Sequence, residues 1–316
     1  MNIQTLSIVV PTKGCVNHCP FCVSRMHDCP YENTFDKVQI EKRIKYAVMN
    51  GVNTCIITGT GEALQNYHFL GRLADIFREM NNPFPNVELQ TTGVMLQDFD
   101  DKIHASTGRP YAGYYNVGIL KELGVNTISL SISDIFFDKL NMDIIGVNEK
   151  LRFKLDELIP FLKQNGFNIR LSLNMLKHFD DVTPAGILRR CKELGANQVT
   201  FRKMYYDLDK DNFAITTEAK WTKENKCSDE TLVRLKEYIE GQHYTNVAGN
   251  KKDYPGKGTF LYKLPFGGKV YSIEGMSTVM DDDCMSKENN DSLKYIVLRE
   301  NGKLYCRWDD EGSLIF

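Results

Sequence analysis

The sequence predicts an α/β fold, namely a partial (β/α)6 TIM barrel with a C-terminal β-rich extension. One observation is a weak internal repeat, in which a glycine separates a helical pattern from a β-rich run at Gly51, Gly124, Gly166 and Gly195. Glycine is favoured at a helix C-terminus because it adopts positive φ without a Cβ clash. The second observation is an alternation of polar and apolar residues along the β-rich runs, which distinguishes between two kinds of sheet.

Six strands alternate with helix-sized stretches before residue 206. The runs are Ser7–Val10, Cys55–Thr58, Val87–Thr91, Ile128–Ser133, Ile169–Leu173 and Val199–Phe201. Alternation of strand and helix predicts a parallel sheet. Six units are fewer than the eight of a closed TIM barrel, so the sheet is either doubly wound and open or a partial barrel.

The chemistry of the strands favours the partial barrel. In the run 127–133 one face is polar throughout, with Thr127, Ser129, Ser131 and Ser133. The runs 87–91, 168–174 and 198–202 alternate in the same way. A parallel sheet covered on both faces is almost wholly apolar, whereas alternation with period two gives each face its own character. We expect the polar face to line an accessible lumen; the alternative is that some of these strands are solvent-facing antiparallel edges.

Two arginines, Arg170 and Arg202, fall on the polar face. Each guanidinium needs an anionic partner, because an unpaired buried charge is costly. Glu88, on the polar face of another strand, could neutralise one of them. Otherwise the partner is a carboxylate or phosphate of a ligand, which arginine binds with paired hydrogen bonds. The lumen therefore favours an anionic ligand.

The pattern changes after residue 205, so we divide the chain into a barrel at 1–205 and an extension at 206–316. The extension contains one predicted helix, 229–241, and a hairpin whose turn is Asn301-Gly302. Asn-Gly between alternating strands is a strong hairpin signal. We expect the extension to cap the open side of the barrel, because six strands leave two exposed edges.

Composition excludes several classes of protein. The chain has 316 residues, 42% of them hydrophobic and 25% charged, as is ordinary for a globular protein. A net charge of −2 gives no basic field, so we do not expect a nucleic-acid partner. The apolar runs are too short to cross a membrane, and no secretory signal is recognised. Nine cysteines without an export signal favour metal ligation or burial over disulfides, and a cytoplasmic location.

Three cysteines, Cys15, Cys19 and Cys22, follow the first strand as Cys-x3-Cys-x2-Cys. Three thiolates at this spacing can hold three corners of a four-iron cube. The fourth iron then has no protein ligand, and an open coordination position is typical of a working metal site. The sequence therefore predicts a [4Fe-4S] cluster at the C-terminal end of the first strand, where the catalytic groups of α/β barrels lie.

The cysteine motif resembles that of the radical S-adenosylmethionine (SAM) superfamily, in which an aromatic residue precedes the last cysteine, as Phe21 does here. The resemblance implies that the open iron binds SAM and that an electron splits SAM into methionine and a 5′-deoxyadenosyl radical. Gly59-Thr60-Gly61-Glu62 is similar to the Gly-Gly-Glu segment that holds the SAM amino group, with Thr60 in place of the first glycine. Phe21 would pack by the adenine. The alternatives are a core anchor for Phe21 and a helix-dipole role for Glu62.

The resemblance also implies further cofactor contacts. Ser131 and Asn174 match positions that hydrogen-bond the ribose or carboxylate of SAM, although either could satisfy a neighbouring group instead. Arg202 is a candidate partner for the SAM carboxylate, and Thr91-Thr92-Gly93 a wall of the pocket. The implied partners are a flavodoxin- or ferredoxin-like electron donor and either a small-molecule substrate, such as a nucleotide, or a peptide.

Two other functions stay open at the level of sequence. A zinc-stabilised binding module would complete its site with His18 or Cys29. An Fe–S electron carrier or redox sensor would use the same three cysteines without SAM. A second Fe–S cluster would require Cys227, Cys284 and Cys306 to meet, although no Cys-x2-Cys pair is present among them. Cys55 and Cys191 fall within strand and helix patterns and are expected to be buried apolar residues.

Overall fold

The structure is a computed structural model that describes residues 2–26, 32–97, 112–206, 216–240, 244–245, 251–252, 258–264, 268–281, 292–308 and 310–316. The six predicted strands are confirmed. They are β1 Asn2–Val10, β2 Thr54–Gly59, β3 Asn86–Thr91, β4 Thr127–Ile132, β5 Asn168–Asn174 and β6 Gln198–Arg202.

The order of these strands in space follows their order in the chain. Each of β1 to β6 pairs in parallel with the next, for example with Val10 of β1 opposite Gly59 of β2. A doubly wound sheet reverses its strand order at a switch point. No reversal occurs between β1 and β6, so the arrangement is that of a partial (β/α)6 barrel, as predicted.

Helices connect the strands and cover the apolar face of the sheet. They are α1 Val23–Met26, α2 Lys37–Met49, α3 Tyr67–Glu79, α4 Ala112–Glu122, α5 Asp138–Ile144, α6 Leu155–Gln164, α7 Pro184–Glu193, α8 Thr217–Asn225 and α9 Asp229–Glu240. Short 3₁₀ turns occupy Ala63–Gln65, Val94–Leu96, Glu149–Leu151, Lys177–Asp181 and Glu311–Ser313. Among the described helices, none has both the length and the apolar character that crossing a membrane requires.

Local sequence accounts for where these helices begin and end. Asp36, Asn66 and Thr183 cap the N-termini of α2, α3 and α7 by accepting backbone hydrogen bonds. The four repeated glycines end helices with positive φ, as predicted: Gly51 (90°), Gly124 (70°), Gly166 (90°) and Gly195 (86°). The core lies between the helices and the apolar strand residues, and Ile128, Leu130 and Ile132 of β4 are fully buried there. Cys55 and Cys191 are buried in the same core, as expected.

The C-terminal strands are β7 Tyr244–Thr245, β8 Lys251–Lys252, β9 Thr259–Lys263, β10 Lys269–Ile273, β11 Met276–Asp281, β12 Ser292–Leu298 and β13 Leu304–Tyr305. Strands β7 and β8 pair with each other in a separate sheet, and the other five extend the two edges of the six-stranded barrel. Strand β11 lies parallel to β6, and β12 lies parallel to β1. Within the described residues the result is a sheet of 11 strands, β13-β12-β1-β2-β3-β4-β5-β6-β11-β10-β9.

Two local predictions for the extension are confirmed. Strands β12 and β13 form an antiparallel hairpin around Gly302, which has a φ of 73°. Helix α9 follows the predicted pattern and is tied to the barrel by Asp180. The Asp180 carboxylate accepts hydrogen bonds from the Ser228 backbone (3.0 Å) and from Thr231 Oγ1 (2.6 Å).

The sequence predicted one helix in the extension, whereas the structure has a second, α8, before α9. Its polar segment shows no clear apolar stripe, and the helix begins where Thr216 accepts a hydrogen bond from Ala219 N. The division of the chain at residue 205 stays a prediction; strands from both sides of that residue share one sheet.

Candidate cofactor site

The three predicted cysteines lie on one loop between β1 and α1, and all three are half-buried. Burial, followed by the charges of the neighbouring Cys22 and Cys15, raises the pKa of the Cys19 thiol to about 12. Burial also raises the pKa of Cys15, where Glu62 and Cys22 act in the same direction. These mutual effects show that the three thiols lie close together.

Neighbouring elements hold the backbone of this cysteine loop in place. Three hydrogen bonds do so: Val16 N to Gln65 Oε1 (2.9 Å), Asn17 Nδ2 to Thr92 Oγ1 (2.9 Å) and His18 N to Ile145 O (2.9 Å). The partners come from the segments that follow β2, β3 and β4. The segments that follow three barrel strands therefore help to position the loop.

The Gly59–Glu62 turn leaves the end of β2 beside the cysteine loop. The Glu62 carboxylate is buried and accepts hydrogen bonds from Thr91 Oγ1 (2.7 Å), Thr92 N (3.1 Å) and Thr92 Oγ1 (3.0 Å). Burial raises the pKa of Glu62, and these hydrogen bonds oppose the rise. Glu62 makes no side-chain cap of the 3₁₀ turn that follows, so its carboxylate is used across the site instead. The segment Thr91–Gly93 holds Glu62 in place.

Gly61 brings this turn into contact with the cysteine loop. A Cβ at Gly61 would lie 2.5 Å from Thr12 Oγ1, 2.7 Å from Gly14 O and 3.2 Å from Cys15 Cβ. Any side chain larger than hydrogen would separate the two segments. Glycine is required here for close approach rather than for its backbone conformation.

The polar strand faces line a lumen with a cavity of about 960 Å³, as the alternation predicted. Its wall includes Glu88, Gln90, Ser129, Arg170, Ser172, Thr200 and Arg202, and it reaches Gly59 and Thr60 at the cofactor end. The volume is at the upper end of the range for small-molecule sites. The cavity extends along the lumen from Asn53 and Asn86, before β2 and at the start of β3, to Val23 and Ser24, which follow the last cysteine of the loop.

The two arginines of the lumen have different partners. Arg170 forms an ion pair with the buried Glu88 and donates from Nε to Gln198 Oε1 (2.8 Å). Arg202 ends β6, and its Nε is buried without a hydrogen-bond partner. Among the residues that the structure describes, no carboxylate lies within ion-pair distance of Arg202. The lumen thus offers one guanidinium to an anionic ligand rather than two.

Ser131 and Asn174 lie on neighbouring strands and contact each other. Asn174 Nδ2 donates to Ser131 Oγ (3.2 Å) and to Ser133 Oγ (3.4 Å). Both side chains are therefore partly satisfied within the protein, which is the alternative that the sequence left open. Their role toward SAM stays a prediction.

Phe21 packs against a residue that the sequence did not single out. Its ring centroid lies 5.9 Å from that of Trp221 in α8, and Arg25 pairs with Glu218 of the same helix (3.2 Å). Helix α8 thus covers the cysteine loop. Its segment has a polar, irregular pattern, which gave no signal of this contact.

The residues of the site fit the two implied cofactors. The three neighbouring thiols suit a cluster. Burial favours their protonated form, and binding of a cluster would release those protons. The buried Thr12 Oγ1 and Asn17 Oδ1, on the same loop, lack hydrogen-bond partners, as is expected where a polar ligand binds. In the described part of the chain, no three His, Cys, Asp or Glu side chains are grouped to hold a single metal ion. In a [4Fe-4S] cluster each cysteine binds its own iron, so the three ligands need not converge on one point as the ligands of a single zinc ion do.

The remaining cysteines are only partly described. Cys227 is buried beside the end of β5, where its backbone N–H donates to Met175 O (2.9 Å), and Cys306 follows β13. Cys284, the third candidate for a second cluster, and Cys29, the candidate fourth zinc ligand, lie outside the described residues. A second cluster stays a prediction.

Comparison with known proteins agrees with this geometry. The sequence model of the Radical SAM superfamily matches residues 9–176. A curated relative, the probable GTP 3′,8-cyclase of Methanococcus aeolicus, is 23% identical over 238 residues, which cover 73% of this chain and 70% of the relative.

Solved structures share the fold. Streptococcus suis SuiB bound to S-adenosylmethionine has a TM-score of 0.56 and 14% identity, over 96% of this chain and 60% of SuiB. The chain thus spans about three-fifths of the length of that protein. Native anSMEcpe with bound AdoMet has a TM-score of 0.56 and 12% identity, over 99% of this chain and 77% of that one. Because the family model covers more than half of its residues, this chain belongs to the radical SAM superfamily.

Proposed function

We propose that the protein is a radical SAM enzyme in which Cys15, Cys19 and Cys22 hold a [4Fe-4S] cluster. The observation that carries the proposal is the contact between the cysteine loop and the Gly59–Glu62 turn, which brings the two motifs into one site. When bound, the cluster and SAM supply a 5′-deoxyadenosyl radical that abstracts hydrogen from a substrate. A flavodoxin- or ferredoxin-like protein would provide the electron.

The chain's own residues bind, orient and shield these cofactors. The Gly59–Glu62 turn, held by Glu62 through Thr91 and Thr92, presents backbone groups to SAM. Ser131 and Asn174 would exchange their mutual hydrogen bond for contacts to SAM. Phe21, covered by α8, would pack by the adenine and exclude water. This division of labour is usual in cofactor enzymes, where the protein positions and the cofactor reacts.

The lumen supports a small anionic substrate, of which a nucleotide is one candidate. Arg202 is available to a phosphate or carboxylate, and the cavity of about 960 Å³ has room for a ligand beside SAM. The relative from Methanococcus aeolicus is named as acting on a nucleotide, GTP. A peptide is the other candidate, because SuiB has been solved with its precursor peptide SuiA.

An anaerobic experiment tests the proposal. The protein is purified without oxygen, its iron is counted, its electron paramagnetic resonance is recorded, and dithionite and SAM are added while 5′-deoxyadenosine is measured. We expect about four irons per chain and SAM cleavage. A colourless protein with zinc supports the binding module, and a brown protein that never cleaves SAM supports the electron carrier.

Matched cysteine variants locate the cluster. Cys19→Ala is expected to lose the iron and the SAM cleavage, whereas Cys306→Ala, outside the loop, is expected to retain both. If the unaltered protein holds more iron than one cluster contains, and Cys306→Ala and Cys284→Ala lower that iron count, these cysteines hold a second cluster. If Cys19→Ala retains the full iron content, the assignment of the loop is wrong.

Cleavage with candidate substrates then separates the two substrate classes. We expect a nucleoside phosphate to raise the rate of 5′-deoxyadenosine formation and Arg202→Gln to weaken that effect about tenfold or more. Response to a peptide and not to any phosphate would favour the peptide class. An unchanged response in Arg202→Gln would remove Arg202 from substrate binding.

A further inference from the structure

Glu300 is a buried carboxylate that lies beside the cofactor site but comes from the C-terminal hairpin. It follows β12, which pairs in parallel with β1 as far as Leu298. On the other side of β1, β2 pairs with it as far as Gly59. Glu300 and Thr60 therefore reach the same end of the barrel from opposite sides of β1.

The Glu300 side chain crosses the end of β1 to contact the turn. Thr60 Oγ1 donates to Glu300 Oε1 over 2.6 Å, and the Thr12 backbone amide favours the charged form of the same carboxylate. The Glu300 backbone is fixed as well, since Thr34 N donates to Glu300 O (3.1 Å). Glu300 is only 8% exposed, and burial raises its pKa, while the Thr60 hydrogen bond opposes the rise. A carboxylate this buried needs such hydrogen bonds to be tolerated.

Thr60 is also the position at which this chain departs from the family's Gly-Gly-Glu segment. A glycine there has no side chain for a carboxylate to hold, whereas threonine supplies a hydroxyl. Thr12, whose backbone amide lowers the pKa of Glu300, lies between β1 and the cysteine loop, and its Oγ1 lies 2.5 Å from the position that a Cβ on Gly61 would occupy. The carboxylate is therefore linked to both segments of the cofactor site.

We propose that Glu300 is a positioning residue that holds the Gly59–Glu62 turn against the end of β1 through its hydrogen bond with Thr60. The C-terminal hairpin then completes the SAM site. This inference rests on the proposed function of the turn in binding SAM.

Equilibrium binding of SAM to the anaerobically reconstituted protein tests it. We expect Glu300→Gln and Thr60→Val each to raise the Kd for SAM about tenfold, which corresponds to ~1.4 kcal/mol. The double variant should bind no more weakly than either single variant, because Glu300→Gln removes the charge, and Thr60→Val the hydroxyl, of one charge-assisted hydrogen bond. Thr60→Ser retains the hydroxyl and is expected to bind SAM as the unaltered protein does.

Further readouts separate positioning from general stability. In SAM cleavage, the KM for SAM should rise while kcat changes less than about twofold. Glu311→Gln, an exposed carboxylate near the same hairpin, is the control and should leave the Kd unchanged. The melting temperature is measured for every variant.

Three results would overturn the inference: unaltered SAM affinity in Glu300→Gln and Thr60→Val, additive losses in the double variant, or a lower melting temperature with an unchanged Kd. Failure of the unaltered protein to bind SAM is a different outcome. It refutes the proposed function itself and the inference with it.

Discussion

Replacing Gly61 with alanine tests whether the cysteine loop and the Gly59–Glu62 turn are in contact. Gly61 does not have the positive φ that would exclude alanine, so the backbone itself accepts the change. The added Cβ, however, would lie 2.5 Å from Thr12 Oγ1 and 2.7 Å from Gly14 O. Gly14 O is a backbone atom and cannot rotate away, so the two segments must separate by a few tenths of an ångström.

The expected cost follows from this overlap. Overpacking of a well-packed site costs about 1–3 kcal/mol, and contact with a fixed backbone atom places Gly61→Ala in the upper part of that range. We expect the free energy of unfolding to fall by about 2 kcal/mol. We also expect the Kd for SAM to rise at least tenfold, because the turn no longer packs against the loop that we propose holds the cluster.

Gly71→Ala in α3 is the matched control, since a Cβ at Gly71 meets nothing within 4 Å. Alanine is favoured over glycine in a helix, so this variant should gain about 0.5–1 kcal/mol and bind SAM normally. Urea unfolding of the apoprotein gives the free energy of unfolding, and equilibrium binding to the cluster-loaded protein gives the Kd for SAM. The close approach is wrong if Gly61→Ala equals Gly71→Ala in both measurements.

Three further changes probe other parts of the structure. Glu88→Gln leaves the partly exposed Arg170 without its carboxylate and should lower the free energy of unfolding in urea by about 1–2 kcal/mol. In a protein that already carries Arg170→Gln, the same Glu88→Gln change should cost nothing. Trp221→Ala removes the ring that covers Phe21; we expect faster loss of iron to a chelator, and Trp221→Phe should retain much of the protection. Burial opposes ionisation of Asp180, but its hydrogen bonds outweigh burial and hold its pKa below the usual value. The stability that Asp180 contributes is therefore present above about pH 4 and lost as the pH falls through its lowered pKa. In urea unfolding measured across this pH range, Asp180→Asn should reduce the acid-dependent loss of stability by about 1 kcal/mol. An unchanged dependence of stability on pH would refute this.

Local signals were sufficient for the barrel and for the cysteine loop. Alternation with period two distinguishes a lumen-facing side from a helix-facing side within each strand, and glycine at a helix end depends on φ alone. The motif Cys15, Cys19 and Cys22 spans only eight consecutive residues. These features survive in any tertiary context, and the structure has them where the sequence predicted them.

Contacts between distant segments could not be predicted from such local patterns. The pattern of α8 shows that it is polar but not that Trp221 covers Phe21. Two inward arginines were equivalent in the sequence, and only strand order made Arg170 the partner of Glu88 and left Arg202 available.

The sequence by itself determined the six parallel strands, the helix ends and the presence of the cysteine motif, because each depends on the chemistry of a short stretch of chain. Only the tertiary structure placed the C-terminal strands on both edges of the barrel and brought Glu300 to Thr60. Gln198 and Ser277, which pair at one edge, are 79 residues apart, and Asn2 and Ser292, at the other edge, are 290 residues apart. Such distant partners are selected by the global packing of the sheet, and no local pattern records that choice.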